Sequence, residues 1–180
     1  GLVVLPLSVL QEGKEYRGYR DHGELDPKGF YQRLRAGAMG STSAANVESF
    51  REAMEPILQA GKDILSINFS SALSTTCQSA AMAARELGEQ YPEGKMIVID
   101  SLCASLGQGM LVYLAAQEKA KGKSIDEVAD FVRETIPHLC HWFTVDDLTH
   151  LKRGGRVSAA AALYGTMLQM KPVRHVDDEG

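Results

Sequence analysis

Hydroxyl side chains crowd one short stretch of this chain, Ser70-Ser71-Ala72-Leu73-Ser74-Thr75-Thr76, and a smaller second one, Gly40-Ser41-Thr42-Ser43. The first lies between an apolar run that reads as a buried strand, from Ile64, and an Ala-rich run that reads as a helix from Thr75 to about Glu89. A turn from strand into helix aims the helix's first unpaired N–H groups, and the positive end of its dipole, at whatever lies above the sheet edge. An anion is the natural occupant. Thr75 with Gln78 fits a capping box and Ser74 is an alternative cap, so hydroxyls that do no more than start the helix are a second consistent reading.

Neither cluster contains GxxxxGK followed by Ser or Thr, and no lysine is placed to meet a β- or γ-phosphate, which disfavours a nucleotide loop. Neutral donors at two helix starts suit a smaller anion such as a carboxylate, and Thr42, Ser43, Ser70, Ser71 and Ser74 are the candidates to hold it. A serine hydrolase or small-molecule transferase using the same loops is the alternative, although GxSxG is missing and no His or Asp stands near in sequence to act as base. Leu151-Lys152-Arg153-Gly154-Gly155-Arg156 is the most basic patch; its cations stabilise a helix C-terminus, and Arg156 beyond it can turn a bidentate fork toward a ligand carboxylate. His138, Cys140, His141 and His150 resemble metal ligands only superficially, because His141 faces away from His138 and Cys140 on a strand. Gly107 and Gly109 lack the third glycine of a dinucleotide fingerprint and are read as permitting close helix packing.

The elements that must carry these residues alternate. Gly1 to Leu10 reads as a buried strand broken by Pro6, Gln11 to Lys14 as a turn and Glu15 to Tyr19 as the returning strand of a hairpin. Asp26-Pro27 starts a helix, Gly40 to Ser43 is a loop, and Val47, Phe50, Met54, Ile57 and Leu58 form the stripe of a helix that Pro56 should kink or split. Met96 to Ile99 is a strand, Asp100-Ser101 its C-terminal end, and a helix follows to Ala120. Ser124 to Glu127 is a capping box, Leu139 to Val145 a strand, Asp146-Asp147 a cap, and Arg156-Val157-Ser158 opens an Ala-rich helix to about Met170 before Pro172. The expectation is an α/β fold, a mainly parallel sheet flanked by helices, with residues 1–153 one domain and 154–180 the connection and beginning of a second α/β domain. Ligands of such sheets bind at the carboxyl ends of strands, where Ser70 to Ser74 and Asp100-Ser101 fall.

The chain has 180 residues, 44% hydrophobic and 23% charged, with a net charge of −4. That balance is ordinary for a globular domain and offers no broad basic field for nucleic acid. Cys77, Cys103 and Cys140 form no CxxC pair, which points to inert buried thiols in a reduced, cytoplasmic setting. The apolar start is too short to span a bilayer, and the abruptness of both ends suggests a longer natural sequence.

In combination, Thr42-Ser43, Ile67-Asn68-Phe69-Ser70-Ser71 through Ser79-Ala80, Ile99-Asp100-Ser101, and Phe143-Thr144-Val145-Asp146-Asp147-Leu148 through Gly154-Gly155-Arg156-Val157 to Lys171-Pro172 resemble the DegV family of bacterial fatty-acid-binding proteins. The family's usual TSQPS reads Thr42-Ser43-Ala44-Ala45-Asn46 here, and its SGT turn reads Ser74-Thr75-Thr76. The resemblance implies a two-domain protein that is not itself an enzyme and needs no cofactor or metal. It implies one long-chain fatty acid held noncovalently, with Thr42 and Ser74 on the carboxylate, Arg156 near it, and a histidine from the family's C-terminal part assisting. It further implies presentation of the acyl carboxylate to the catalytic subunit of a fatty acid kinase, with transient contact with a membrane surface.

Overall fold

The computed structural model describes residues 1–17, 25–145, 148–155, 158 and 173–175. The chain divides into two compact units: Gly1–Asn68 with Ser74–Ile99, and Phe69–Leu73 with the chain from Asp100 onward.

The first unit opens with strands β1 (Ser8–Gln11) and β2 (Lys14–Arg17), joined through Glu12 and Gly13 at φ 53° and 77°. Positive φ at both central residues is the type I′ geometry that matches the twist of a hairpin, and Gly13 takes it at no steric cost. The other edge of β1 pairs antiparallel with β3 (Gly40–Ser43), giving the order β2-β1-β3. Two expectations change here. Residues 1–7 form no buried strand: Pro6 has no N–H to give a ladder, pairing starts at Ser8, and Leu2 is 61% exposed, although Leu5 packs on the core. Gly40–Ser43 is a strand rather than a loop, because the open edge of β1 needs backbone partners and a hydroxyl-rich segment supplies them as well as any other.

Helix α1 (Pro27–Arg35) has Pro at its first position and the Asp26 carboxylate accepting from the N–H groups of Lys28 and Gly29. Arg33 ties it to the sheet by donating through Nε to Oε1 of buried Gln11 at 2.7 Å. Helix α2 (Val47–Gln59) is capped by Asn46, whose Oδ1 accepts from Ser49 N–H at 2.9 Å. Pro56 neither splits nor ends it, since it falls in the last turn, where one lost backbone bond costs least. Gly61 at φ 66° then closes a Schellman motif, its N–H on Leu58 O and that of Lys62 on Ile57 O.

Strand β4 (Ile64–Asn68), helix α3 (Thr76–Gln90) and strand β5 (Met96–Asp100) complete the unit. Ile64 N–H reaches Lys95 O at the start of the pair and Asn68 Nδ2 reaches Ile99 O at its end, so β4 and β5 run parallel with α3 as their crossover. The α/β class is thus realised with its parallel pairing in β4–β5 and antiparallel pairing in the other described sheets. The core is the meeting of α2 and α3: Phe50, Met54 and Leu58 at helical spacing face Ala80, Ala83 and Leu87, with Ile64 from β4. Alanines at 80 and 83 let the two helices come close.

In the second unit, helix α4 (Ser105–Ala120) packs on helix α5 (Ile125–Thr135), burying Leu111, Ala115, Val128, Ala129 and Val132. The capping box at α5 is complete: Ser124 Oγ accepts from Glu127 N–H, and Glu127 accepts from Ser124 N–H at 2.8 Å, which holds the Glu127 carboxyl below its usual range. Lys121, at 2.6 Å, and Lys123 both grip the buried Glu118. Strand β6 is shorter than the expected Leu139 to Val145: Leu139 N–H is taken by Ile136 O of a 3-10 turn (Ile136–His138), and only Trp142–Thr144 pairs, antiparallel with β7 (Val173–His175); helix α6 (Leu148–Arg153) ends at Gly155 with φ 74°. Tyr19, the Asp146-Asp147 cap, the helix expected from Arg156 to Met170 and the Pro172 exit lie outside the described residues. Among the described residues no helix is long and apolar enough to cross a membrane.

Leu87→Ala, which truncates a fully buried side chain, should lower the unfolding free energy by about 2–5 kcal/mol in urea titration. Lys121 first and Lys123 second depress the Glu118 pKa, against the opposing pull of burial. Its stabilisation is therefore complete above the ordinary glutamate pKa of about 4.3 and lost as pH falls through the depressed native value. Glu118→Gln should flatten the acid limb of the melting curve; an acid limb identical to that of the unsubstituted protein contradicts this.

Candidate ligand-binding site

Beyond the end of β4 the chain has no further ladder partner, and its N–H groups are satisfied by the loop that follows β5. Ser70 N–H donates to Cys103 O at 2.9 Å, and Ser71 N–H lies 3.2 Å from both carboxylate oxygens of Asp100. Within its own turn, the Ser70 carbonyl accepts from Leu73 N–H and its Oγ accepts from Ala72 N–H at 3.3 Å. Ser70 is fully buried, so its hydroxyl serves the turn and is not displayed as a nucleophile. Ser71 is exposed.

The loop after β5 is organised by the same carboxylate. Asp100 Oδ1 also accepts from Leu102 N–H at 3.1 Å, and buried Ser101 accepts through Oγ from Cys103 N–H at 3.1 Å. Leu102 sits at φ 51°, a left-handed conformation that costs a non-glycine residue about 1 kcal/mol or more and persists only where neighbours hold it. Burial, and secondarily the Asp100 charge, pushes the Cys103 thiol up.

In the first unit, Asn68 fixes the end of β4: Oδ1 accepts from Ser66 Oγ and Nδ2 donates to Ile99 O. At the head of α3, Ser74 Oγ lies 2.8 Å from Thr76 Oγ1 and accepts from Thr76 N–H at 3.3 Å. Thr75 stands at the N-cap position, but the side-chain oxygen that meets the first helical amide is that of Ser74. Thr75, at φ −76° and ψ 3°, lacks the extended backbone that would bring its hydroxyl over the next amides, and it makes no capping bond to Gln78. Ser74 is half-buried, a hydroxyl pair at the positive end of a 15-residue helix.

Thr42 and Ser43 are exposed on β3, in register with Val9 and Ser8 of β1. They do not start α2, whose cap is Asn46. Arg156 lies outside the described residues. Gly107 permits a close approach, but of a ring: a Cβ there would stand 2.7 Å from His141 Nδ1, whereas nothing lies within 4 Å of Gly109. Among the described residues, no group of three or more His, Cys, Asp or Glu could hold a metal. Asp100, placed by the sequence at a strand's carboxyl end but given no role there, is the residue that fixes both loops through Ser71 and Leu102.

A sequence model of the DegV family matches residues 1–180. A DegV domain-containing protein of Clostridium perfringens is 52% identical over 157 residues, 87% of this chain and 54% of that protein. Among solved structures, a DegV family protein from Thermus thermophilus, described by its fatty acid binding, superposes with a TM-score of 0.81 at 34% identity, over 97% of this chain and 60% of that one. A stearic acid-binding protein from Eubacterium ventriosum gives a TM-score of 0.85 at 26% identity, over 97% and 60%. The chain thus spans a little over half the length of the proteins it matches.

The thiols differ in access, contrary to three buried ones: Cys103 is buried, Cys77 half-buried and Cys140 exposed. Brief iodoacetamide treatment near neutral pH should modify Cys140 well before Cys103, as read by peptide mass spectrometry. Equal labelling of the two would contradict the packing of the loop after β5.

Proposed function

The chain belongs to the DegV family, and on that footing we propose that the protein it represents binds one long-chain fatty acid noncovalently, the carboxylate meeting hydroxyls at the head of α3. The observation that supports this reading is the tethering of the hydroxyls: Ser74 Oγ is paired with Thr76 Oγ1, Ser70 N–H is held by Cys103 O, and Ser71 N–H by the Asp100 carboxylate. A site organised in advance spends less of its binding energy on ordering itself. The fatty acid binding of the Thermus and Eubacterium ventriosum proteins supports this choice of ligand class.

The energetics suit a carrier. Roughly a dozen methylenes at ~0.8 kcal/mol each supply about 10 kcal/mol of gross driving force. Association costs ~4–15 kcal/mol, so head-group contacts decide whether the lipid stays. A carboxylate taken out of water must be paired, and Thr42, Ser74 and Arg156 are assigned that task, with Ser43, Ser70 and Ser71 shaping the loops around it. Such a protein presents the acyl carboxylate to the catalytic subunit of a fatty acid kinase in the cytoplasm and touches a membrane surface only transiently to exchange lipid.

Full-length protein purified from cells and extracted under denaturing conditions should release close to one fatty acid per chain by mass spectrometry. Ser74→Ala should lower the retained amount about tenfold, the worth of one hydrogen bond to a charged group. Protein that releases no fatty acid sinks the reading, and unchanged retention in the variant removes Ser74 from the site.

A further inference from the structure

Helix α4 is apolar on two sides and buried on one. Leu111 and Ala115 are buried where it packs on α5, and Gly107 is buried under the ring of His141. A second line, Leu106, Gly109, Met110, Tyr113, Ala116 and Ala120, recurs at intervals of three and four along the whole helix, and every member is exposed. Leu106 is 86% exposed, Met110 46% and Tyr113 57%. From Ser105 to Gln117 the helix carries no charged side chain. A helix at the surface turns charge to water, as α5 does with exposed Asp126, Asp130 and Arg133; one that is apolar all round belongs in an interior.

Gly109 narrows what can cover this line. Glycine weakens a helix interior and is tolerated where another element comes close. At Gly107 that element is His141, whose Nδ1 would stand 2.7 Å from an added Cβ; at Gly109, among the described residues, nothing lies within 4 Å. Ala116 and Ala120 continue the low line at helical spacing, a groove shaped for a packed backbone. A lipid surface has no use for a glycine there. The relatives point to the source of the cover, because this chain spans 54% of the Clostridium perfringens protein and 60% of the Thermus one.

We infer that the uncharged face of α4 is the seat of an apolar segment from that further part of the full-length protein, packed closely over Gly109. This does not depend on the fatty acid reading. The test uses full-length protein. On an uncovered helix face Leu is a better residue than Gly, and Gly109→Leu would raise the Tm by about 2–4 °C; beneath a close-packed segment it overfills the contact and should lower the Tm by at least about 2 °C. A rise, or no change, overturns the inference. p-Benzoylphenylalanine placed at Tyr113 identifies the neighbour: after irradiation and digestion, the linked peptide should come from residues of the same chain beyond these 180. A link to residues 1–180, to a second copy or to bound lipid, or no link at all, overturns it. The unsubstituted protein gives a third reading. Peroxide should oxidise Met110 at least about tenfold more slowly in native than in urea-unfolded protein, the protection of a face uncovered no more than about a tenth of the time. Oxidation at the unfolded rate overturns the inference whether or not the variants fold.

Discussion

A backbone amide that runs off the end of a strand must find an acceptor, and the loops that follow β4 and β5 solve this for each other. Ser70 gives its N–H to the carbonyl of Cys103, and Ser71 gives its own to Asp100. An unpaired N–H at a half-buried strand end would cost about 1–3 kcal/mol, so two such bonds decide whether the turn has one conformation or many. The left-handed Leu102 is held by the same set of bonds. Remove the shared acceptors and the hydroxyls have no fixed place to stand.

The first unit is held by hydrocarbon. The parallel β4–β5 pair is bridged by α3, and the small side chains at Ala80 and Ala83 let α3 settle against Phe50, Met54 and Leu58 of α2. The position of Ser74 follows from this packing. Burial of Leu87 and Ala83 fixes the roll of α3 about its axis, and the roll sets where the two residues before the helix, Ser74 and Thr75, lead into it. Polar satisfaction and apolar packing therefore place neighbouring residues of one hydroxyl-rich stretch.

Much of this was legible in the residues alone. The Glu12-Gly13 hairpin, the Asp26-Pro27 start, the stripe from Phe50 to Leu58, the strand-turn-helix at Ile64 to Gln90 and the Ser124 capping box all follow from local chemistry that tertiary structure did not override. The misreadings share a cause. Gly40 to Ser43 has no apolar alternation, so nothing in it announces a strand; it became one because β1 had an open edge, a fact about a partner 30 residues away. Thr75 stands at the N-cap position of a helix that starts one residue later than expected, and its backbone angles keep its hydroxyl from the capping bond that Gln78 suggested. Asp100 announced a strand end but not its hold on Ser71, because a bond between loops 29 residues apart leaves no trace in either segment.

The sheet β2-β1-β3 has one further implication. Among the described strands, β3 carries no neighbour on its outer side, and that rim is only four residues long, made of a glycine and three alcohols. Such a rim is a poor template for another molecule's backbone: it is short, it lacks large apolar side chains to cement stacked ribbons, and its hydroxyls stay content in water.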